Sequence, residues 1–453
     1  MPDDVPQSLK QRFERAGTLA SRGHLDDAIV TLAEGARLFP GNPQLAAQFG
    51  RLLSNHHRHA EALDVLRAGV RAAPADLPLR GLLAAELAGA MNFTEALGQL
   101  RLFAVLAPGE SEIETNIGVL NQSLGRWERA ITHYRRAIAT DPNNGLAHLN
   151  LATALLVRGD FRNGFAEFEW RTTLPSVRRR PVDLPPWRGE PLAGRRLLLT
   201  AEQGLGDMIQ FARFIPNLAS LGGTVLLECP PPLVRLLTGL PGLDRCCPMD
   251  EPLPVADITA SLLSLPHLLD LEDAGRARYL TAPPPVDESP LPSVGLIWSG
   301  KPATGEVFVR RSLNRRACQA TDLAPLLDVA GIRLFSLQLD QPAAPFVDLT
   351  QGIADFRDTA QRMAGLDLVI AVDTAGAHLA GALGVPLWVL LAPGQADYRW
   401  GVGALSPWYP DARLYRADHR GWPPLVRALA DDLVNWAATC TRRRADRVPS
   451  PGR

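Results

Sequence analysis

The first third of the chain repeats with a period of 34 residues. Prolines recur at this spacing, at Pro40, Pro74, Pro108 and Pro142. Twelve residues before each proline stands an alanine (Ala28, Ala62, Ala96, Ala130), and eight residues before it a large apolar residue (Leu32, Leu66, Leu100, Tyr134). One period held at several positions indicates stacked helix pairs, in which the alanine lies where helices cross closely and the proline ends the second helix.

The clearest copy of the repeat covers residues 110–144. Gly118 is predicted to lie where its two helices pack closely, and Gly125 in the turn between them. A fifth copy starts near Gly145, and there Gly164 replaces the alanine. The pattern resembles the tetratricopeptide repeat, which stacks into a curved array that usually holds a peptide or protein. We therefore expect residues 1–175 to form an all-α repeat solenoid that binds a protein, the alternative being a structural spacer or dimerisation arm.

Composition argues against several classes of function. The formal net charge is −1, so bulk charge favours no nucleic-acid partner. No apolar run is long enough for a membrane span, and the first residues lack the apolar core of a signal peptide. Five cysteines are scattered without a metal-type pair (Cys229, Cys246, Cys247, Cys318, Cys440), which suits reduced thiols and no metal site. These features predict a cytoplasmic protein.

The remaining two-thirds alternates apolar runs with helical patterns, which is typical of parallel α/β architecture. Residues 176–195, rich in proline and arginine, are predicted to be a linker. A proline-rich stretch at 281–293 then divides two Rossmann-like lobes, 196–290 and 291–445, with a tail at 446–453. Predicted strands are 196–201, 224–229, 293–300, 332–338, 366–372 and 386–392, and predicted helices are 207–221, 231–239, 355–364, 375–384 and 422–438.

A glycine-rich loop follows the first predicted strand. Gly204 and Gly206 match the start of a dinucleotide-binding fingerprint, but Ile209 occupies the position of the third glycine. Asp207 would also repel a pyrophosphate at the start of the next helix, so an NAD site is a poor fit. Asp207 is predicted either to cap the helix N-terminus or to act as a general base, and one side chain can do both.

Two further loops carry candidate ligands for phosphate. Asp373 and Thr374 stand at a strand–helix junction, followed by Gly376 and, one helical turn after Thr374, His378. Free N–H groups at this helix start and the Thr374 hydroxyl could bind a phosphate, whereas a helix cap plus a buried histidine is the structural alternative. The loop after strand 293–300 contains Lys301, Arg310 and Arg311. This cluster suits a diphosphate or is a solvated basic loop.

In combination and order, these motifs resemble the heptosyltransferase-like family 9 of glycosyltransferases. The matching stretches are "EQGLGDMIQFARFIP", "VGLIWSG" with its basic loop, and "VDTAGAHLAGALGVP". More closely, the chain resembles bacterial proteins that fuse tetratricopeptide repeats to such a domain, including flagellin-modifying glycosyltransferases; "SPWYP" at 406–410 belongs to that subgroup. The resemblance implies an α/β GT-B fold, with the acceptor side N-terminal and the nucleotide-sugar side C-terminal.

The resemblance also implies roles for single residues. Asp207 would be the general base, in an acceptor-side loop with Gln203, Gly204, Gly206 and Gln210. The donor would be held by Lys301, Arg311, Asp373, Thr374, Gly376 and His378. Catalysis would be inverting and independent of metal, with a nucleotide sugar as co-substrate and no resident cofactor. The expected acceptor is a protein held in the repeat groove, flagellin being one candidate. The alternatives are transfer to a glycan, as in lipopolysaccharide assembly, and a catalytically inactive protein-binding scaffold.

Overall fold

A computed structural model describes residues 7–175, 177, 180–202, 204–285, 289–300, 316–339, 341–393 and 397–445. The chain divides into two compact units, Met1–Leu151 and Ala152–Arg453. The first unit is all-helical, and the second contains two parallel β-sheets. The boundary falls inside one helix, so the end of the repeat region belongs to the second unit.

The first unit consists of antiparallel helix pairs. Its helices are α1 (Gln7–Ser21), α2 (Leu25–Leu38), α3 (Pro43–Asn55), α4 (His59–Ala72), α5 (Leu77–Gly89), α6 (Phe93–Leu106), α7 (Ser111–Ser123), α8 (Trp127–Thr140) and α9 (Gly145–Val157), the last of which crosses the unit boundary. The second helix of each of the first four pairs ends two residues before a periodic proline. This confirms the predicted helical repeat. The helices end there because the proline ring disfavours helical backbone at the residue before it.

The periodic small residues lie where the prediction places them. All four periodic alanines are fully buried, and the four apolar residues that follow them are at most 4% exposed. A Cβ atom on Gly118 would lie 2.4 Å from Cε1 of Tyr134, and one on Gly50 would lie 2.6 Å from Cδ2 of Leu66. The helices of a pair therefore approach so closely that only glycine fits at these two positions. Gly125, with φ of 70°, makes the predicted turn.

After the end of α9, the second unit contains the last helix of the repeat pattern, α10 (Phe161–Phe168), and a 3₁₀ turn at Glu169–Thr173. A Cβ atom on Gly164 would lie 2.7 Å from Cγ of Leu156, so this glycine also marks a close helix crossing. Further on, the chain runs beside the first sheet, where the Trp187 amide donates to the Thr259 carbonyl over 2.8 Å. Part of the segment predicted as a linker thus pairs with a sheet edge.

The first sheet has four parallel strands in the order β3-β2-β1-β4. They are β1 (Arg196–Thr200), β2 (Thr224–Cys229), β3 (Arg245–Pro248) and β4 (Ile258–Ser261). Its helices are α11 (Leu205–Phe211), α12 (Pro231–Leu237) and α13 (Leu265–Leu268), with 3₁₀ segments at Ala212–Ser220 and Leu262–Ser264. β1, the first strand of the α/β region, therefore lies between β2 and β4, as expected for a strand whose two faces are both covered.

The second sheet has six parallel strands in the order β10-β9-β8-β5-β6-β7. They are β5 (Ser293–Ile297), β6 (Arg333–Ser336), β7 (Val347–Asp348), β8 (Leu368–Val372), β9 (Leu387–Leu391) and β10 (Ala412–Arg416). Among the described residues, the helices beside this sheet are α14 (Phe356–Ala364), α15 (Ala375–Leu383) and α16 (Trp422–Ala445), with a 3₁₀ segment at Ala320–Asp328. Every residue of β5, β8 and β9 is buried, as central parallel strands require.

All six predicted strands are confirmed, whereas β3, β4, β7 and β10 were missed. The missed strands lie at sheet edges and lack a continuous apolar run, and three of them (β3, β4 and β7) have four residues or fewer. The predicted helix 207–221 begins two residues earlier, at Leu205, and becomes 3₁₀ from Ala212. Pro216 lies inside that second part and has no N–H for an α-helical bond, which gives a physical reason for the change.

An aromatic cluster joins α10 to both sheets. Phe165 and Phe168 of α10 pack against Phe211 and Phe214, which follow β1, and Trp408, which precedes β10, packs in the same cluster. Each of the five is at most 4% exposed. Aromatic side chains bury more apolar surface than other residues and so contribute most to the stability of a core. The last repeat helix is therefore part of the α/β core.

Candidate functional site

The loops after β1 and β8 meet at the carboxyl ends of the two sheets. A Cβ atom on Gly206, at the start of α11, would lie 3.0 Å from Cδ2 of His378 and 3.4 Å from Cα of Ala375, both in α15. The two motifs are far apart in sequence, and the structure brings their helix starts into contact. Loops at this end of parallel strands are where open α/β proteins bind ligands, so we take this junction as the candidate site.

Asp207 is the third residue of α11 and not its N-cap, which corrects the capping prediction. The helix begins at Leu205 with Gly204 as N-cap, because the Gly204 backbone is extended there. Asp207 Oδ2 accepts a hydrogen bond of 3.0 Å from the Gly204 amide. The carboxylate therefore still satisfies a free N–H at the helix start, but it does so from the third helical position.

The other oxygen of Asp207 is bound by an arginine of the second sheet. Arg399 Nη2 donates to Asp207 Oδ1, its Nε donates to Gln210 Oε1 at 2.7 Å, and its Nη1 donates to Asp397 Oδ2 at 2.9 Å. The Arg399 side chain is 13% exposed. Its guanidinium stacks 4.4 Å from the centroid of the Tyr398 ring. Three acceptors from two parts of the fold thus hold one cation in place.

The carboxylates around Arg399 keep it charged. Burial by itself disfavours the guanidinium cation, but the carboxylates of Asp397, Asp207 and Asp373 outweigh burial, so the pKa of Arg399 lies well above its ordinary value. Burial likewise opposes ionisation of Asp397, but Arg399 and Arg316 prevail and lower the pKa of Asp397. Asp397 is therefore an anion beneath Arg399 at neutral pH.

Asp373 follows the last residue of β8 and binds two side chains of the second unit. Its Oδ1 accepts from Trp400 Nε1 at 2.8 Å and its Oδ2 from Arg316 Nη1 at 2.9 Å. Burial, with Asp397 adding to it, raises the pKa of Asp373 above its ordinary value. The Asp373 side chain is only 5% exposed, whereas that of its partner Arg316 is 32% exposed. Asp373 therefore holds the more exposed Arg316 at the carboxyl end of β8.

His378 occupies a packed interior position. It is 4% exposed. Its ring stacks on Trp400 with centroids 5.2 Å apart, and its Nδ1 lies 3.0 Å from the Tyr409 hydroxyl. Burial, assisted by the Arg399 charge, lowers the pKa of His378 well below its ordinary value, so the ring is neutral. This placement matches the buried-histidine alternative; contact with a donor stays a prediction.

Thr374 and Gly376 lie at the start of α15, as expected. Thr374 is the N-cap, but its hydroxyl donates to the Val372 carbonyl at 3.2 Å and accepts no capping bond from the helix N–H groups. A Cβ atom on Gly376 would lie 2.4 Å from Cδ1 of Ile297, so glycine lets α15 pack on the end of β5. Three other predicted site residues, Gln203, Lys301 and Arg311, lie outside the described residues.

Sequence reasoning missed Arg316, Asp397 and Arg399. Arg316 ends the same basic stretch that contains Arg311, which was a usable signal. Asp397 and Arg399 belong to the short segment "DYRW" before "SPWYP". Of the 47 lysine and arginine residues almost all are arginine, so nothing in the local sequence distinguishes Arg399 from the other arginines.

A second polar cluster lies beneath the loop of Asp207. Arg171, from the 3₁₀ turn after α10, is fully buried and binds Glu202, which follows β1. Arg171 Nη1 also donates to Glu169 Oε1 at 2.7 Å and Nη2 to Ser264 Oγ at 2.9 Å. Ser261, at the end of β4, donates to the same Glu202 oxygen. The turn after α10 is thereby tied to the residue from which the Asp207 loop departs.

In the part of the chain that the structure describes, no three histidine, cysteine or acidic side chains form a group that could hold a metal ion. Within the same residues no helix is both long and apolar enough to cross a membrane.

Comparison with known proteins identifies tetratricopeptide repeats. The TPR repeat family model matches residues 123–157. Protein FlbA of Caulobacter vibrioides is 26% identical over 479 residues, which cover 93% of this chain and 78% of FlbA. Similar solved structures include MamA from Desulfovibrio magneticus RS-1 (20% identity, 38% of this chain and 100% of that one, TM-score 0.34) and a tetratricopeptide repeat protein from Parabacteroides merdae (18%, 38% and 68%, 0.35). The chain thus contains TPR repeats, an architecture suited to protein binding, followed by a region of parallel sheets.

Proposed function

We propose that the second unit is a GT-B glycosyltransferase that moves a sugar from a nucleotide sugar to a protein bound by the repeats. The observation that carries the proposal is the junction of Gly206 with the start of α15. Two parallel sheets there present an acid from one loop and cations from the other. Such a pairing suits a reaction that removes a proton from one substrate and expels an anion from the other.

In this reaction an acceptor hydroxyl oxygen attacks the anomeric carbon of the donor sugar. The bond from that carbon to the donor phosphate breaks, and the nucleotide leaves with the electron pair. Asp207 takes the hydroxyl proton as general base. Attack opposite the leaving phosphate inverts the anomeric centre.

The leaving phosphate is stabilised from the second sheet. Arg316 offers a guanidinium held by the buried Asp373, in addition to the sequence-predicted Lys301 and Arg311. The backbone N–H groups at the start of α15, beside Thr374 and Gly376, favour an anion. Fixed donors of this kind stabilise charge that develops in the transition state, so the proposal requires no metal. His378 supports Trp400 and Tyr409 from beneath.

The acceptor is proposed to be a protein because the chain contains TPR repeats. Flagellin remains the candidate that the sequence resemblance suggests. Transfer to a lipid-linked glycan would need no such repeats. The inactive scaffold is the second candidate, since Asp207 is bound to Arg399 in this structure.

A binding screen followed by a transfer assay tests the proposal. The melting temperature of the full chain is measured with a panel of nucleotide sugars, since a ligand that binds the native state raises it. The nucleotide sugar that gives the largest shift is then supplied with a co-expressed acceptor, and mass spectrometry follows the acceptor. We expect added sugar with the wild type and a loss of at least about a hundredfold in turnover with Asp207→Asn, as for loss of a general base.

Asp257→Asn is the matched control, because Asp257 also pairs with an arginine but lies at the other end of β1, beside Arg196. It should retain wild-type turnover. Full turnover by Asp207→Asn would show that Asp207 is not the general base. If no nucleotide sugar changed the melting temperature and no acceptor gained mass, the scaffold would be the better description.

A further inference from the structure

Arg399 is shared between the proposed base and a deeper carboxylate. Its Nη1 bonds to both oxygens of Asp397, at 2.9 and 3.1 Å, and its backbone amide donates to Asp397 Oδ1 at 2.9 Å. Nη2 alone reaches Asp207. The guanidinium can therefore keep its hold on Asp397 while Nη2 changes its partner. With Arg399 on Oδ1 and the Gly204 amide on Oδ2, each oxygen of the Asp207 carboxylate already has a donor.

The charges around Arg399 limit what can enter the site. Among the described residues at the junction, the carboxylates of Asp207, Asp373 and Asp397 face the guanidiniums of Arg316 and Arg399. His378, which packs on the same group, is neutral. The buried guanidinium of Arg213 also acts on His378. The described charges therefore balance when all three acids are ionised, so a phosphate that binds Arg399 must take the place of a carboxylate.

Asp207 is the carboxylate that can give way. Its side chain is 18% exposed, against 5% for Asp373 and 10% for Asp397. It is also the one that belongs to the first sheet, whereas the other two acids and the arginines paired with them, Arg316 and Arg399, belong to the second. Displacing it removes a single ion pair between sheets and leaves the pairs within the second sheet intact.

We propose that Arg399 exchanges Asp207 for the donor phosphate, so that binding of the nucleotide sugar releases the base. This inference rests on the proposed function and goes beyond it in assigning Arg399 as a ligand of the donor. The donor then binds first, and Asp207 becomes free to accept a proton only when the leaving group is in place. Without a donor, Arg399 and Asp207 hold each other.

Binding of nucleotides to the full chain tests the exchange without any need for turnover. Calorimetry gives the dissociation constants of UDP, GDP, ADP and CMP, and the tightest of the four is then used with each variant. Because Asp207 competes with the phosphate for Arg399, Asp207→Asn should tighten binding about fivefold to tenfold, the size of one charge-assisted contact. Arg399→Gln should weaken binding by a similar factor. Asp257→Asn removes the same kind of charge from an arginine pair at the far end of β1 and should change nothing.

The double variant separates a shared cation from simple repulsion. In the Arg399→Gln background, Asp207→Asn should no longer tighten binding, since the two changes act through one contact. Equal tightening in both backgrounds would show that Asp207 merely repels the phosphate, and would overturn the exchange. If circular dichroism shows that Arg399→Gln is unfolded, the cycle is run with Arg399→Lys, which keeps the charge but loses the forked geometry. In that background Asp207→Asn should tighten binding less than it does in the wild type, and equal tightening would again overturn the exchange.

The outcomes also separate this inference from the proposed function. Nucleotide binding to the wild type that Asp207→Asn leaves unchanged or weakens overturns the exchange alone. Failure of all four nucleotides to bind either protein overturns the proposed function, and the exchange with it.

Discussion

The buried ion pair between Arg171 and Glu202 should be one of the most costly contacts to break in the second unit. Both side chains are fully buried, and Arg171 also binds Glu169, Ser264 and the Phe168 carbonyl. Replacing Arg171 with methionine keeps much of the side-chain length but removes every one of these bonds. Glu202 is then a buried carboxylate without its cation, which in other proteins costs about 3–5 kcal/mol.

Urea denaturation of the full chain measures this cost. Eight of the nine tryptophans lie after residue 151, so tryptophan fluorescence reports mainly on the second unit, while far-ultraviolet circular dichroism also follows the repeats. The change in the free energy of unfolding comes from the shift in midpoint multiplied by the slope. We expect a loss of about 3–5 kcal/mol in the fluorescence transition.

Arg162→Ala provides the matched control from the same segment. Arg162 pairs with Asp270 and Glu272, and all three side chains are more than half exposed. Exposed pairs contribute at most about 1 kcal/mol. The double variant of Arg171→Met with Glu202→Gln should recover part of the loss, because it no longer buries a bare charge. If Arg171→Met cost no more than Arg162→Ala, Arg171 would not be the tie between α10 and the first sheet.

Two further outcomes follow from local geometry. Gly118→Leu should destabilise the repeats by about 1–3 kcal/mol, since its Cβ would overlap Tyr134. Gly98 lies on α6 with open space around it, so Gly98→Ala should stabilise the repeats by about 0.5–1 kcal/mol. Urea denaturation followed by circular dichroism compares the two variants, and equal effects would show that close packing does not explain Gly118. Bonds from Arg196 lower the pKa of Asp257 to about 2, so the pair stabilises the native state above about pH 4 and loses this effect as the pH falls toward 2. The urea midpoint of the wild type should therefore fall more steeply below pH 4 than that of Asp257→Asn, and parallel curves would contradict that assignment.

Much of the architecture was predictable because its signals are local. The 34-residue period of alanine and proline predicts where the helices cross and where they end. Apolar runs bounded by turn residues predict the central strands. The edge strands were not predicted because an edge strand needs no long apolar run. β10 shows this, because exposed Arg413 interrupts its burial pattern. The shift of Asp207 from N-cap to third helical position followed from a helix start two residues earlier than predicted, a difference that pattern reasoning does not resolve.

The candidate site divides in the same way. Sequence alone placed Asp207 and Thr374 at the carboxyl ends of strands, because residues just after a strand must lie there. It could not state that Asp207 would meet Arg399, which is 192 residues away, nor that His378 would be enclosed by Trp400 and Tyr409.

The sequence by itself determined the repeats, the parallel strands and the loops that carry the site, since periodicity and turn residues act over a few neighbours. Only the tertiary structure decided which of the many arginines face which carboxylates. Ion pairs form where sheet edges and loops meet in space, and that meeting depends on the packing of the whole unit.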